Sequence, residues 1–344
     1  MELKNILIDN SPAAYIPSDE LIHAAEVAYA LKRPLLLSGE PGTGKTEFAK
    51  WVAETLSKKY EFDNEPLIFN TKSTSTAQDL FYYYDAISHF RDANIRRFNN
   101  TDSAMTHFSK TTSEPDVEVT ELTKVSHEER SGPVEATDYI TLNALGLAIE
   151  RAKGSSVLGN NGKENGAAPR GSVVLIDEID KAPRDFPNDL LNEIERYMFE
   201  IKELSHKEIR LTDEEKEKIL IIMTSNFEKN LPEAFLRRCV YFHITFPSEE
   251  RLKDILVKRL HISDEADINN IKQRVSDFFK FRADESIQKK PSTSECLDYV
   301  RVLHNERKLG TALFNSANKV TQEGQKYISL LLKKKEDRDL YVTQ

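Results

Sequence analysis

Apolar side chains along this 344-residue chain fall into two patterns, short unbroken runs and stripes at helical spacing. Leu21 to Leu31 repeats apolar positions at helical spacing behind Pro17 and Ser18, which predicts a helix capped by the Ser18 hydroxyl. Leu35-Leu36-Leu37 is too short a run for a helix and predicts a buried strand that stops at Gly39. Helical spacing returns from Thr46 to Leu56. Leu67-Ile68-Phe69, Val173 to Ile176, Ile219 to Met223 and Val240 to Phe246 are further candidate strands. Helical patterns cover Thr76 to Phe98, Tyr139 to Ala152 and Leu190 to Ile201. Ile209 and Leu211 share one face of an extended segment that can pair with Phe199 to Ile201 as a hairpin. Five apolar strands separated by helices predict an α/β fold with a parallel sheet and helical crossovers.

After Pro247 the pattern is helical throughout, over Glu249 to Leu260, Ala266 to Arg282, Thr293 to Glu306 and roughly Val320 to Leu340. This divides the chain into an α/β domain over 1–247 and a small all-α domain over 248–344. Two stretches interrupt the first domain. Asn99 to Thr137 is rich in Ser, Thr, Asp and Glu and reads as an insertion, either a loop or a weakly packed β excursion. Gly154 to Gly171 reads as a flexible loop.

The segment between the first strand and its helix, Gly39-Glu40-Pro41-Gly42-Thr43-Gly44-Lys45-Thr46, matches G-x-x-x-x-G-K-[ST]. Glycines let successive backbone N–H groups turn inward around a phosphate, at dihedral angles a Cβ penalises. The following helix, which continues through Glu47, points its positive end at the same oxygens. In that arrangement Lys45 reaches the β- and γ-phosphates and the Thr46 hydroxyl ligates Mg²⁺. A chance match somewhere in such a chain is on the order of one per cent. Val173 to Ile176 then delivers Asp177 and Glu178 to the end of a strand. Asp177 suits the Mg²⁺ shell, and Glu178 suits polarising a water for attack on a γ-phosphate. Asp180 reads as a turn residue ahead of Lys181-Ala182-Pro183.

Strand Ile219 to Met223 runs into Thr224-Ser225-Asn226, where the Asn226 amide can contact both γ-phosphate and water. Arg237 and Arg238 follow at a helix end ahead of the last strand. A kinase has no use for Glu178, and the Asn-Lys-x-Asp signature of GTPases is absent, so ATP hydrolysis is the expected reaction.

In order and spacing these motifs resemble the AAA+ superfamily, and their wording is similar to its MoxR-like branch. The resemblance extends to Tyr15-Ile16-Pro17, Thr76 to Ala86, Ile176 to Glu195, Thr224 to Phe246 and Pro291 to Glu295. It covers nearly the whole chain apart from 99–137 and 154–170. It implies a five-stranded parallel sheet in the order 5-1-4-3-2, a helical lid after Pro247, and a hexamer-like ring with ATP held at subunit interfaces. It makes Asn226 the sensor 1 residue, Arg238 the finger offered to a neighbouring subunit with Arg237 as second choice, and places Tyr15 and Ile16 at the adenine. The lid arginine of the family has no counterpart in Thr293 to Glu295, and Arg301 lies two turns on, so that role stays unassigned. The family's members are regarded as remodelling chaperones that commonly work with von Willebrand factor A domain proteins; some belong to prokaryotic defence systems.

Composition narrows the partners. A net charge of −9 and the lack of a basic, aromatic-interleaved segment favour a protein client over a nucleic-acid motor of the restriction-system kind. A nucleotide-gated scaffold is the third reading, and Glu178 speaks against it. Only two cysteines, Cys239 and Cys296, are present, which fits a reducing interior and a cytoplasmic protein. No apolar run approaches a membrane span, and Met1 to Asn10 lacks the pattern of a signal peptide. The aromatic cluster Phe81 to Tyr84 reads as core and interface packing ahead of a substrate-gripping loop.

Overall fold

The computed structural model describes residues 8–105, 135–158, 168–316 and 319–341. Most of the expected insertion and the middle of the glycine-rich loop therefore lie outside the described residues.

The α/β part runs α1 (Asp19–Leu31), β1 (Leu35–Ser38), α2 (Lys45–Lys59), β2 (Leu67–Asn70), β3 (Tyr82–Tyr84), α3 (Ala86–Met105), β4 (Ile140–Leu142), α4 (Ala144–Lys153), β5 (Ser172–Asp177) and α5 (Phe186–Arg196). It continues through β6 (Met198–Ile201), β7 (Lys207–Arg210), α6 (Asp213–Lys216), β8 (Ile219–Ser225), α7 (Glu233–Leu236) and β9 (Val240–His243). Five of these strands form one parallel sheet in the order β2-β5-β8-β1-β9. Counted along the chain and read from the other edge, that is 5-1-4-3-2, as expected.

The unbroken apolar runs have a simple cause. Leu35, Leu37, Val173, Leu175, Leu220 and Ile222 pack one face of the sheet against α1 and α2. Their neighbours Leu36, Val174, Ile176, Ile221 and Met223 pack the other face with Leu145, Ile149 and Leu190. A strand covered on both faces has no polar side to show. The Ser18 hydroxyl accepts from the Leu21 amide and starts α1 as expected.

Three helical expectations in the α/β part fail in part. Thr76 to Phe98 is not one helix: a short turn at Gln78–Leu80 leads into β3, which pairs antiparallel with β4, and helix begins only at Ala86. The aromatic residues fit a half-buried strand, and Phe81 stacks on Phe199 at 4.9 Å between ring centroids. Phe81 and Tyr82 are buried while Tyr83 is exposed. For the same reason Tyr139 to Ala152 gives β4 before α4 starts. The helix expected to reach Ile201 stops at Arg196, where Tyr197 turns left-handed (φ 48°) and the chain enters the β6–β7 hairpin.

Beyond Pro247 lie α8 (Glu249–Arg259), α9 (Glu265–Ala283), α10 (Thr293–Asn305), α11 (Gln322–Gln325), α12 (Ile328–Leu331) and α13 (Lys335–Asp339). They enclose a separate core around Leu252, Phe278, Phe281, Val300 and Leu331. The single helix expected over Val320 to Leu340 is broken into three. Gly324 packs where a Cβ would come within 2.7 Å of the Leu313 carbonyl, and buried Asp337 accepts from the Gln288 and Lys289 amides at 2.8 and 3.0 Å. These contacts fold the chain back over the α9–α10 loop, which a straight helix cannot do.

Candidate active site

The parallel sheet aligns the carboxyl ends of β1, β5 and β8: Ser38 sits opposite Ser225, and Ile176 opposite Met223. Three loops therefore meet at one edge, the usual place for a ligand in an open α/β sheet. A cavity of about 720 Å³ opens there. Pro41 to Glu47 form its floor, with Asp177, Glu178, Thr224 and Asn226 on one wall, Tyr15 and Ile16 on another, and Arg251, Arg259, Thr293 and Ser294 on the lid side.

The loop from β1 to α2 depends on its glycines. Gly39 has φ 148°, and a Cβ there would lie 2.5 Å from the Ile244 carbonyl oxygen. Gly44 has φ 88°, and a Cβ there would lie 2.9 Å from the Tyr15 ring. Lys45 is buried, and its Nζ donates to the carbonyls of Gly39 at 2.9 Å and Glu40 at 3.1 Å. Burial pushes its pKa down, opposed by the Asp177, Asp180 and Glu178 carboxylates.

Thr46, at the first turn of α2, donates its hydroxyl to Asp177 Oδ1 and Oδ2 at 3.1 and 3.2 Å. This pair of hard oxygen ligands, set beside a phosphate-type loop, suits Mg²⁺. Thr224 links the two acids. Its hydroxyl donates to Asp177 Oδ1 at 2.5 Å and accepts from the Glu178 amide at 2.8 Å. Asn226 Nδ2 donates to Glu178 Oε1 at 3.1 Å, and Lys181 Nζ pairs with Glu178 Oε2. That hydrogen bond pushes the Lys181 pKa up.

Asp180 does more than the turn role expected of it. It is 2% exposed, and its Oδ2 accepts from the Asn226 and Glu228 amides at 3.1 and 2.9 Å. It thus clamps the loop after β8 to the loop after β5.

Tyr15 and Ile16 sit in the cavity wall because the segment before α1 wedges between α2 and α8. Lys258 Nζ donates to the Tyr15 carbonyl at 3.3 Å and Arg251 to the Ile16 carbonyl at 2.9 Å. Burial pushes the Tyr15 hydroxyl pKa up to about 12. Glu47 bridges Lys50 at 2.9 Å and Arg259 at 3.3 Å, joining α2 to α8. Glu40 turns outward to Arg282 at 2.7 Å.

Three arginines singled out from the sequence lie apart from this cavity. Arg237 and Arg238 lie outside this cavity, where Arg238 Nε donates to Glu195 at 3.3 Å and Arg237 pairs with Glu233 at 3.6 Å. Arg301 pairs with Asp298 at 3.0 Å and does not line the cavity. Glu295 is taken up by a reciprocal cap with Ser292 at the start of α10. Sequence reasoning missed Thr224, the clamp by Asp180, and the lid cations Arg251, Arg259 and Arg282. For the arginines no local signal exists, since their contacts bridge more than two hundred residues.

The family model for the AAA domain, dynein-related subfamily, matches residues 34–239. The chain belongs to this AAA family. The matched span of the AAA domain runs from the residue before β1 to the end of the paired arginines, and so contains the loop, both acids and Asn226. No curated protein matches the chain. Among solved structures, PCH-2 of C. elegans matches at 15% identity and a TM-score of 0.34, over 83% of this chain and 65% of that one. A RuvB mutant of Thermotoga maritima matches at 14% identity and a TM-score of 0.45, over 96% of this chain and 76% of that one. The chain thus spans just under two thirds of PCH-2. Among the described residues no helix is long and apolar enough to cross a membrane.

Proposed function

We propose that this AAA domain is a Mg²⁺-dependent ATPase that works as a MoxR-like ring and spends hydrolysis on remodelling or activating a partner protein. The observation that carries the reading is the convergence of the phosphate loop, the Thr46–Asp177 pair and the Glu178–Asn226 pair on one cavity. The amides of Gly42 to Thr46 bind the triphosphate, and Lys45 exchanges its loop carbonyls for phosphate oxygens. Thr46 and Asp177 hold the cation, which neutralises charge on the phosphates when bound. Glu178 takes a proton from the attacking water, and Asn226 orients that water against the γ-phosphate. Tyr15 and Ile16 cover the adenine. Arg238, with Arg237 as second choice, is presented to the site of a neighbouring copy, in keeping with its place outside its own cavity. Division into an α/β unit over 1–247 and a lid over 248–344 lets the lid cations move against the loop.

The test is Glu178→Gln. Hydrolysis falls by about 10² to 10⁴, while Mg²⁺-dependent binding of a fluorescent ATP analogue is retained. Parental turnover in that variant refutes the reading. Proteins that co-purify with the variant identify the client, and a von Willebrand factor A domain protein is the expected class. Tight, salt-sensitive DNA binding by the full chain would point instead to a nucleic-acid motor.

A further inference from the structure

Arg237 and Arg238 are adjacent in sequence, yet the fold holds only one of them firmly. Arg238 Nε donates to Glu195 Oε2 at 3.3 Å, and its Nη1 donates to the Ala234 carbonyl at 3.1 Å. Arg237 stands 3.6 Å from Glu233, longer than a hydrogen bond, and the two side chains are 82% and 87% exposed. We propose that Glu195 is a positioning residue that aims Arg238 at the γ-phosphate held by a neighbouring copy. This rests on the reading of Arg238 as the residue presented to that copy.

The ion pair is built from two elements that share a core. Leu190 and Ile194 of α5 and Phe235 of α7 are buried in the same apolar cluster. Glu195 follows Ile194 and turns to the surface. Arg238 closes the end of α7, where its amide donates to the Phe235 carbonyl at 3.0 Å. The Cys239 thiol donates to the same carbonyl at 3.3 Å. Burial therefore fixes both backbones, and the two charged side chains meet on the outside.

A loose arginine samples many rotamers and loses that freedom when it meets a phosphate. Holding it beforehand removes the loss from the reacting step. Glu195 and the Ala234 carbonyl engage Nε and Nη1, and a guanidinium has five N–H donors in a planar fork, so Nη2 stays available to a phosphate oxygen. Arg238 and Glu195 lie outside the cavity of their own chain. A guanidinium aimed from there serves a phosphate that a second copy brings.

The experiment measures kcat and KM for Mg²⁺-ATP, and the urea midpoint, on the full chain carrying Glu195→Gln or Glu195→Ala. Both variants lower kcat about two- to fivefold, the range an exposed pair supports, with KM and midpoint unchanged. Glu195→Gln and the parent are then each mixed with a growing excess of Glu178→Gln chains, which lack the base and keep the Glu195–Arg238 pair. Turnover per Glu195→Gln chain climbs to that of the parent in the same mixture, because its site is now served by a neighbour with an aimed arginine. A defect confined to the chain that carries it does not recover. Parental kcat in both Glu195 variants, or no recovery in the mixture, overturns the proposal. Arg238→Ala lowers kcat by about 10³-fold or more. Parental turnover in that variant overturns the choice of Arg238 instead, so the two failures are told apart.

Discussion

Thr224→Val tests the geometry of the site with the smallest change in shape. The Thr224 side chain is buried, and its hydroxyl serves two residues at once: it donates to Asp177 Oδ1 at 2.5 Å and accepts from the Glu178 amide at 2.8 Å. Valine fills the same space and makes neither bond. Losing a hydrogen bond to a charged acceptor costs about 1.5–3 kcal/mol, and a buried amide left without a partner costs about 1–3 kcal/mol. Asp177 keeps its contacts from Thr46, and the two losses share one site, so they do not add fully. A destabilisation of about 2–4 kcal/mol is expected, read as a fall in the urea midpoint of the α/β unit with an unchanged m-value. Catalysis should suffer more than binding. Glu178 loses the bond that sets its backbone, and a small misplacement of a catalytic group costs on the order of 10²-fold. We expect kcat to drop by about 10- to 100-fold with nucleotide affinity changed far less. Thr224→Ser retains the hydroxyl and should recover most of the rate. Parental kcat and midpoint in Thr224→Val would refute the claim that this hydroxyl organises the two acids.

Two further outcomes follow from contacts away from Asp177 and Glu178. The Arg282 guanidinium lies 3.4 Å from the Phe246 ring centroid and donates to Glu40 at 2.7 Å, so it joins the lid to the phosphate loop. Glu40 is half exposed, which holds the coupling to about 0.5–1 kcal/mol. A double-mutant cycle of Glu40→Gln and Arg282→Ala should show that coupling in the Kd for ATP, each single change weakening it by about two- to fivefold; additive effects would refute it. Glu193 has a buried Oε2 with no hydrogen-bond partner, and burial followed by the Asp189 charge pushes its pKa up from 4.5 to about 7. The folded state therefore holds this proton where the unfolded chain has released it. Stability from this group is full below about pH 4.5 and is lost as pH rises to about 7. Thermal melts should show Glu193→Gln gaining on the parent across that window, and parallel curves for the two would refute it.

Much of the site could be read from the sequence because its groups are set by short local patterns. Eight consecutive residues specify the phosphate loop, and a hydrophobic strand carries its terminal acids to the sheet edge wherever it pairs. The sheet order came only with the resemblance to AAA+ ATPases, because counting buried runs gives the number of strands and not which of them lie side by side. Local pattern failed where the partner was distant. Tyr82 to Tyr84 share aromatic content with a helix face, and only pairing with Ile140 to Leu142, across the insertion, makes them a strand. The segment from Val320 to Leu340 has helical spacing, yet contacts at Gly324 and Asp337 break it.

Side-chain roles divide in the same way. Lys45, Thr46, Asp177 and Glu178 are named by motif, because the backbone that holds each is built by its own neighbours. What surrounds them is decided by packing: Thr224 between the two acids, Asp180 beneath Asn226, Arg251 and Arg259 closing over Tyr15 and Glu47 from the lid. Backbone geometry and hydrophobic burial act over a few residues and are legible in order along the chain. A hydrogen bond or ion pair reads only distance in space, and that is known once the chain has folded.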